Sequence, residues 1–241
     1  NTMLTLYEGD LVRVTYSDGK TSVSKLGSHE PGLNDYLFSA VGDYLGSTPL
    51  TSNVKILDIN EGKYVNVYPS RLANIRINSG MVLYSEKNES GAITQLILDD
   101  VTGDTFDYGI LTAFTYPMNA MSNAYTYNYL IDGKSGSVVG DIVSDYDTEI
   151  GPKGFLIIDH ELVEIKGLTK VTVQSLHSTY IQNSSKKYPL AEDYDVYIYK
   201  DGEYMATTID KISNLSKYKL SAYYDKEPAF GGRVRVIIAE N

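Results

Sequence analysis

The chain lacks two residue types altogether, since its 241 residues include no cysteine and no tryptophan. Without cysteine there is no disulfide framework, no thiolate metal site and no cysteine nucleophile. The absence of cysteine also suits a protein that is exposed to oxidants outside the cell. Tyrosine, by contrast, occurs 22 times against 5 phenylalanines. Tyrosine favours β-strands and keeps a hydroxyl group at the surface of a sheet, so this excess points to an exported β-protein.

Long apolar runs and positive charge are also scarce. No apolar stretch approaches the roughly 20 residues that a membrane-spanning helix needs, so we predict no membrane span. Lysine and arginine number 21 against 31 aspartates and glutamates, which gives a formal net charge of −10. Such a surface repels phosphate groups and disfavours nucleic acid as a partner. The chain begins Asn1-Thr2-Met3 without a signal-peptide pattern, and we read it as a processed or excised piece of a longer protein.

Strand signals dominate the chain. Residues 11–16 alternate between apolar and polar, turn at Asp18-Gly19, and alternate back over residues 21–26, which is a strong hairpin signal. Similar glycine turns recur at Glu61-Gly62, Ser90-Gly91, Asp132-Gly133 and Asp201-Gly202. This pattern predicts an all-β, mainly antiparallel fold of small sandwiches or open barrels, with at most one or two short helices.

One helix is predicted, over Asn34 to Leu45. Asn34 is a good N-cap, and Leu37, Val41 and Tyr44 follow at helical spacing. Gly42 weakens this interpretation, and residues 41–45 fit a strand equally well.

The sequence also contains an internal repeat. Residues 49–64 match residues 189–204 in the order of their strands and turns, and the hairpins around Ser90-Gly91 and Gly231-Gly232 follow in the same order. The two copies lie about 140 residues apart, and their insertions fall in loops. We therefore predict two related β modules, at residues 1–103 and 104–241. Either module is long enough to bury a core.

The two modules differ at their start. Residues 108–114 and 125–131 are strand-like and are predicted to open the second module. Residues 11–26 resemble residues 153–168, and the strands that would open the first module would lie upstream of Asn1. The hypothesis is that the first module is incomplete here or borrows strands from a neighbour.

Several stretches resemble the β-rich regions of Firmicutes, clostridia-like S-layer proteins and other cell-surface proteins that carry S-layer homology domains. They are Val67–Ala73, Leu96–Asp104 with Tyr108–Ile110, Tyr197–Tyr204, and Tyr223–Lys226 with Gly231–Ala239. The resemblance implies an extracellular location, on the cell surface or wall of a Gram-positive bacterium, and a structural or adhesive role. The S-layer homology motif itself is absent from the chain, so any wall anchor must be encoded outside these residues.

No motif in the sequence predicts catalysis. His29, His160 and His177 show no metal-binding pairing, and Gly-x-Ser-x-Gly is absent. Gly19-Lys20-Thr21 and Gly133-Lys134-Ser135 lack the upstream glycine of a phosphate-binding loop and are typical of hairpin turns. We therefore expect a non-enzymatic protein with no catalytic residues.

Two acidic clusters are candidates for Ca²⁺, the one cofactor that the sequence suggests. The first comprises Asp99, Asp100, Asp104 and Asp107, and the second comprises Asp141, Asp145, Asp147 and Glu149. Ca²⁺ takes six to eight oxygen ligands from carboxylates and loop carbonyls, and both clusters lie in predicted loops beside strands. Neither has the EF-hand spacing, and the alternative is that these carboxylates are solvated turn residues.

Tyrosines at alternate strand positions are candidates for a contact surface. They are Tyr125, Tyr127 and Tyr129 in one strand and Tyr197 and Tyr199 in another. One interpretation is a half-buried sheet face with hydroxyls at its edge. The other is an exposed surface that contacts a neighbouring module or a glycan.

The function that we expect is a non-enzymatic structural, assembly or adhesive segment of an S-layer-type surface protein. Its partners would be other copies or modules of the same protein, joined through sheet edges, and cell-wall glycan. Two alternatives remain, a carbohydrate- or wall-binding module and the non-catalytic region of a secreted hydrolase.

Overall fold

A computed structural model describes residues 5–7, 10–25, 36–116, 124–141 and 149–240. The fold is all-β, which confirms the predicted class. The chain divides into two compact units, Asn1–Thr105 with Ala229–Gly231, and Phe106–Pro228 with Gly232–Asn241. We call these unit 1 and unit 2.

Unit 1 contains a hairpin, a curled sheet and one short strand pair. The hairpin is formed by β1 (Val12–Ser17) and β2 (Lys20–Lys25). The sheet has the order β4-β5-β9-β8, with β6 paired to β5, and the strands β3 and β7 pair with each other. The bounds are β3 Tyr36–Leu37, β4 Tyr44–Leu45, β5 Thr48–Asn60, β6 Lys63–Asn66, β7 Arg76–Ile77, β8 Val82–Lys87 and β9 Ile93–Asp99.

The inner face of this sheet forms the core of unit 1. Ile56, Leu96 and Leu98 alternate along β5 and β9 and are at most 2% exposed. A buried carboxylate, Asp58, lies on β5 and accepts hydrogen bonds from the backbone N–H groups of Val101 (2.9 Å) and Thr102 (2.6 Å). Burial raises the pKa of Asp58, and this effect exceeds that of the hydrogen bonds, which lower the pKa.

Unit 2 begins with a closed barrel of five strands in the order β10-β11-β12-β14-β13. Since the fourth strand returns beside the first, the barrel is of Greek-key type, an architecture that includes the OB-fold but that assigns no ligand by itself. Its interior is filled by Leu111, Tyr127, Val138, Phe155 and Ile165. The bounds are β10 Asp107–Thr115, β11 Ala124–Ile131, β12 Lys134–Asp141, β13 Gly151–Ile158 and β14 Glu161–Gly167.

The rest of unit 2 is a seven-stranded sheet in the order β15-β20-β21-β18-β17-β16, with β19 paired to β18. A single turn of helix, α1 (Ile209–Ile212), is the one α-helix in the ranges that the structure describes, and short 3-10 turns lie at Pro69–Leu72, Ser79–Met81 and Pro228–Phe230. The bounds are β15 Thr169–Thr172, β16 Ser175–Leu176, β17 Tyr180–Asn183, β18 Lys186–Lys200, β19 Glu203–Ala206, β20 Lys219–Tyr224 and β21 Val234–Glu240.

The two units share one strand arrangement, which we call the repeated sheet. A long strand (β5 or β18) pairs with the short strand that follows it and lies parallel to the last strand of the unit (β9 or β21), which forms an antiparallel hairpin with the strand before it. The parallel pairs even break register at the same place. Leu50 pairs with Ile93 and Lys55 with Gln95, while Leu190 pairs with Val234 and Asp195 with Val236.

The predicted helix over Asn34–Leu45 is wrong from residue 36 onward, where the structure describes the chain. Residues 36–37 and 44–45 are strands, so the alternative strand over residues 41–45 holds only at its last two residues, and residues 41–43 form a turn. Gly42 explains the difference, because its φ of +78° is left-handed and a Cβ there would lie 1.8 Å from the carbonyl oxygen of Pro69. Ser39 closes the turn by accepting a hydrogen bond from the N–H of Asp43 (3.0 Å).

Candidate interaction surface

The outer side of the unit 1 sheet presents an accessible surface, which we call the open face. Its residues are Lys55, Leu57, Tyr64, Gln95 and Ile97. Along β5 and β9, Lys55, Leu57, Gln95 and Ile97 alternate with the inward core residues, because successive side chains of a strand point to opposite sides. Tyr64 of β6 pairs with Ile59, which lies on the same outward side. Leu57 and Ile97 are half-buried, Lys55 and Gln95 are exposed, and Tyr64 is 63% exposed.

A groove of about 540 Å³ runs along the open face. Lys55, Leu57, Gln95 and Ile97 contribute to its wall, and so does Tyr68, which is 77% exposed. The groove therefore combines aliphatic surface with one cation, two amides (Asn66 and Gln95) and one accessible aromatic ring.

The corresponding side of the repeated sheet in unit 2 is covered by the barrel, and we call it the covered face. Its residues are Tyr197, Tyr204, Tyr223, Val236 and Ile238. They pack against barrel residues Tyr108, Ile110 and Leu130 and against Leu168. Tyr197, Val236 and Ile238 are at most 3% exposed, so the barrel removes this side of the sheet from solvent.

Polar contacts lock the barrel to the covered face. The hydroxyl of Tyr197 donates to the carbonyl of Leu130 (3.1 Å) and shares a short hydrogen bond with Asp195. The backbone N–H of Asp132, in the β11–β12 turn, donates to the same carboxylate (3.0 Å). Burial raises the pKa of Tyr197, Asp195 and Tyr204, the last to about 12.

A buried ion pair reinforces this contact. Arg235 donates to Asp225 through Nε (3.0 Å) and Nη2 (2.9 Å), and their side chains are 2% and 0% exposed. The Tyr108 hydroxyl donates to the same carboxylate (3.1 Å), and the Arg235 guanidinium carbon lies 4.5 Å from the centroid of the Tyr108 ring. The pair therefore holds a barrel residue against the sheet, and loss of either partner would leave a buried charge unpaired.

A second groove, of about 630 Å³, lies beside β17 and β18 in unit 2. Tyr180, Lys187, Glu192, Tyr194 and Arg233 line it together with small polar residues. The Tyr180 ring is already engaged, because His177 stacks on it at 4.2 Å and the Lys187 ammonium lies 4.6 Å from its centroid. Tyr194, which is half-buried, is the remaining aromatic side chain of this groove.

The first predicted Ca²⁺ cluster, at Asp99, Asp100, Asp104 and Asp107, lies entirely within the described residues, and Ca²⁺ binding there stays a prediction. Within the described ranges, no group of three or more acidic or histidine side chains is placed so that it could hold a metal ion. Asp104 instead accepts hydrogen bonds from Nε (2.9 Å) and Nη2 (3.1 Å) of Arg71. The guanidinium thus takes the place that a cation would have at this carboxylate.

The second predicted Ca²⁺ cluster lies largely outside the described residues. Asp145 and Asp147 fall there entirely, and of Asp141 only the backbone, at the end of β12, is described. Glu149 is exposed. Ca²⁺ binding at this cluster therefore stays a prediction.

The tyrosines predicted as a contact surface are mostly inside the protein. Tyr127 (1% exposed) lies in the barrel interior and Tyr197 (0%) on the covered face, so an exposed contact role is wrong for these two. Tyr125 and Tyr129 are half-buried against the barrel core, while Tyr199 is 37% exposed. In β11 the tyrosine side is the apolar side and faces the barrel core, as the half-buried interpretation expected. Around Tyr197 both sides of the strand are apolar, and sequence alone does not tell which of them is covered.

Sequence reasoning missed the open face. Its members are spread over three strands and carry no motif, so only the pairing of β5 with β6 and β9 brings them together. A signal was nevertheless present at one position, because Gln95 stands where the second copy has Val236. A polar residue in one copy and an apolar residue in the other indicates different surroundings.

Comparisons with known proteins give no relative. No protein-family model matches the chain, no curated protein matches its sequence, and no solved structure matches its fold. In the part of the chain that the structure describes, none of the helices has the length and apolar character needed to cross a membrane.

Proposed function

We propose that the chain is a non-enzymatic structural and assembly segment of a bacterial cell-surface protein of the S-layer type, located outside the cell. The observation that carries the proposal is the repeated sheet, which occurs twice with the same parallel pair and the same break in register. Tandem copies of one β unit are typical of proteins that build extended surfaces, because each copy adds length and presents its faces at a regular interval.

The faces that the two copies present support an assembly role. Unit 1 offers the open face with its groove, while the same side of unit 2 is covered. Accessible strands and sheet faces can join chains by main-chain hydrogen bonds, with the alternation of side chains setting the register. The partners that we propose are other copies or modules of the same surface protein.

Negative-stain electron microscopy of the purified chain tests this role, with and without millimolar Ca²⁺. We expect sheets or filaments. A Leu57→Lys, Ile97→Lys variant, which places charges on the open face, should reduce assembly, while Glu203→Lys at the exposed end of β19 serves as the matched control. A dependence of assembly on Ca²⁺ would support the second acidic cluster. Isolated particles in every condition would contradict the assembly role.

A second candidate is a carbohydrate- or wall-binding module, which the unit 2 groove favours. Tyr194 offers an aromatic ring, and Glu192, Lys187 and Arg233 surround it with polar groups, as sugar hydroxyls require. A glycan array tests this candidate. Binding that Tyr194→Ala abolishes, and that Tyr199→Ala outside the groove leaves unchanged, would favour it over the assembly role. An array without binding would remove it.

A further inference from the structure

The β1–β2 hairpin exposes apolar side chains on one of its faces. Val14 pairs with Val23 and Tyr16 with Thr21, which places Val12, Val14, Tyr16 and Val23 on one side, together with Thr21 and Lys25. The first four are 37%, 43%, 78% and 42% exposed. An isolated two-stranded hairpin buries too little apolar surface to be stable by itself, so this face calls for a partner.

The barrel of unit 2 contains the same hairpin. The β1–β2 turn, Asp18-Gly19, has φ angles of 50° and 69°, and the β13–β14 turn, Asp159-His160, has φ angles of 50° and 69° as well. The strand pairs leave the two turns in the same way. Ser17 pairs with Lys20 as Ile158 pairs with Glu161, and β14 then carries one extra bulged residue.

Counting outward from these turns aligns the apolar face of β1–β2 with the interior of the barrel. Val14 and Val23 correspond to the pair Phe155 and Ile165. Phe155 and Ile165 are 0% and 3% exposed, because strands β10, β11 and β12 close over them. The same positions are therefore buried in the closed barrel of unit 2 and exposed in the β1–β2 hairpin.

The hairpin also contacts its sheet on the side of the open face, through a contact of the same type but at different positions. Arg13 of β1 donates to the Tyr84 hydroxyl (2.9 Å), and its guanidinium carbon lies 5.5 Å from the centroid of the Tyr84 ring. Tyr84 pairs with Ile97, which puts it on the same side of the sheet as the open face. In unit 2 an arginine–tyrosine contact likewise joins the barrel to the covered face, with Arg235 on the sheet and Tyr108 on the barrel.

We propose that β1–β2 is the closing hairpin of a second five-stranded barrel, and that it binds a three-stranded antiparallel β-meander from outside unit 1. The barrel of unit 2 defines the chemistry of this partner. Its first strand pairs antiparallel with β1, its third strand pairs parallel with β2, and its inward positions carry aliphatic and tyrosine side chains, as Leu111, Tyr127 and Val138 do in β10–β12. The completed barrel then covers the open face. This inference goes beyond the proposed function and holds whether or not the chain forms sheets or filaments.

An extended chain tests the proposal. A second copy of residues 107–150, which includes β10–β12, is placed directly before Asp10, the position that corresponds to Gly151. Amide hydrogen exchange is then measured over residues 12–25 in the extended and the original chain. We expect exchange to slow by about 100-fold or more in the extended chain, because closure of a barrel turns a locally opening hairpin into part of a cooperative unit.

Two variants of the extended chain decide what causes the protection. Val14→Asp with Val23→Asp puts charges inside the proposed barrel and should return exchange to the rate of the original chain. Both valines are exposed in the original chain, so the same pair of substitutions should leave its circular dichroism unchanged. Ser22→Glu is the matched control, because Ser22 corresponds to Glu164 on the outside of the barrel, and it should keep the protection.

Equal exchange over residues 12–25 in the extended and original chains would overturn the proposal. Equal loss of protection in the valine variant and in Ser22→Glu would also overturn it. The added strands would then not contact β1–β2 through the interior of a barrel. A third outcome is that protection of the original chain grows with its own concentration and the extension does not increase it. This result would identify a second copy as the occupant and would contradict an external meander.

Discussion

The two copies of the repeated sheet differ chiefly on one side. In unit 2, Tyr197, Val236 and Ile238 lie beneath the barrel and are at most 3% exposed. In unit 1, Leu57, Gln95 and Ile97 hold the corresponding positions and remain half-buried or exposed. The inner faces differ much less, since Ile56 and Val196 at one matching position are 2% and 8% exposed and Leu96 and Ile237 at another are both 0% exposed. The comparison shows that strand order and register are specified by the inner face, while the outer face adapts to whatever covers it.

The closing hairpins of the two copies show the same adaptation at one turn. In unit 1, the N–H of Asn88 donates to the carbonyl of Ala92, and its side-chain oxygen accepts from the N–H of Ala92 (3.0 Å). In unit 2, Asp225 and Arg233 make the same two contacts. Where the turn is exposed a neutral amide suffices, while beneath the barrel the carboxylate also pairs with Arg235.

The largest effect is expected from Arg235→Ala. This substitution leaves the Asp225 carboxylate buried without its cation, which should lower the free energy of unfolding by about 3–5 kcal/mol. Thr94→Ala, at the corresponding position of unit 1, should change it by less than about 0.5 kcal/mol. Urea denaturation followed by circular dichroism measures both. Similar losses for the two variants would contradict the difference between the copies.

A double substitution sharpens this test. Asp225→Asn with Arg235→Met removes both charges and keeps side chains of similar size. It should recover part of the stability that Arg235→Ala loses, because replacing a buried ion pair costs less than breaking one. A double variant as unstable as Arg235→Ala would show that packing, and not the unpaired charge, accounts for the loss.

Truncation of one aliphatic residue on each outer face should give the next largest difference. Ile238→Ala opens a cavity beneath the barrel and should cost about 2–5 kcal/mol. Ile97→Ala, at the corresponding half-buried position, should cost about 1 kcal/mol or less. Urea midpoints of the two variants give the comparison. Equal costs would mean that the open face is as well packed as the covered face.

The exposed turn of unit 1 should show a smaller effect. Asn88→Ala removes the acceptor for the N–H groups of Ser90 (3.1 Å) and Ala92 (3.0 Å), which should cost about 1 kcal/mol in thermal or urea denaturation. Asn88→Asp keeps this acceptor and copies Asp225, so it should behave like the native chain. If Asn88→Asp lowered the free energy of unfolding as much as Asn88→Ala does, the carboxylate would not replace the amide in this turn. The two turns would then not be stabilised by the same hydrogen bonds.

The smallest expected effect depends on pH. Burial raises the folded-state pKa of Asp195 above its unfolded value, so its contribution to stability is fully present at low pH and is lost as the pH rises through the folded pKa. Acidification from pH 7 should therefore stabilise the native chain relative to Asp195→Asn. Lys55→Ala, at the corresponding position of unit 1, serves as the control. A difference between native chain and Asp195→Asn that does not vary with pH would contradict this assignment.

Much of the fold could be predicted from local signals in the sequence. Asp18-Gly19, Asp132-Gly133 and Asp201-Gly202 mark hairpins that the structure contains, because residues with positive φ fix a turn whatever surrounds it. The strand character of the chain follows from alternation, which is equally local. The predicted helix over residues 34–45 is wrong from residue 36 onward, because the turn at Gly42 depends on its close approach to the Pro69 carbonyl, and these two residues lie far apart in the sequence.

The candidate surface depends on such distant contacts throughout. The open face exists because β5 pairs with β6 and β9, and the burial of Tyr197 depends on Ile110 and Leu130 in a barrel that precedes it by many residues. Neither relation leaves a periodic signal. The Asp225–Arg235 pair could not be predicted either, because the sequence does not show that these two charged side chains are buried together.

Amide hydrogen exchange of the native chain tests the central claim most directly, by comparing the hairpin β1–β2 with its counterpart β13–β14. We predict exchange in β13–β14 to be slower by several orders of magnitude, because a closed barrel protects it, while β1–β2 opens locally. Protection of β1–β2 equal to that of β13–β14 in the dilute chain would contradict the claim that the same β elements are covered in unit 2 and open in unit 1.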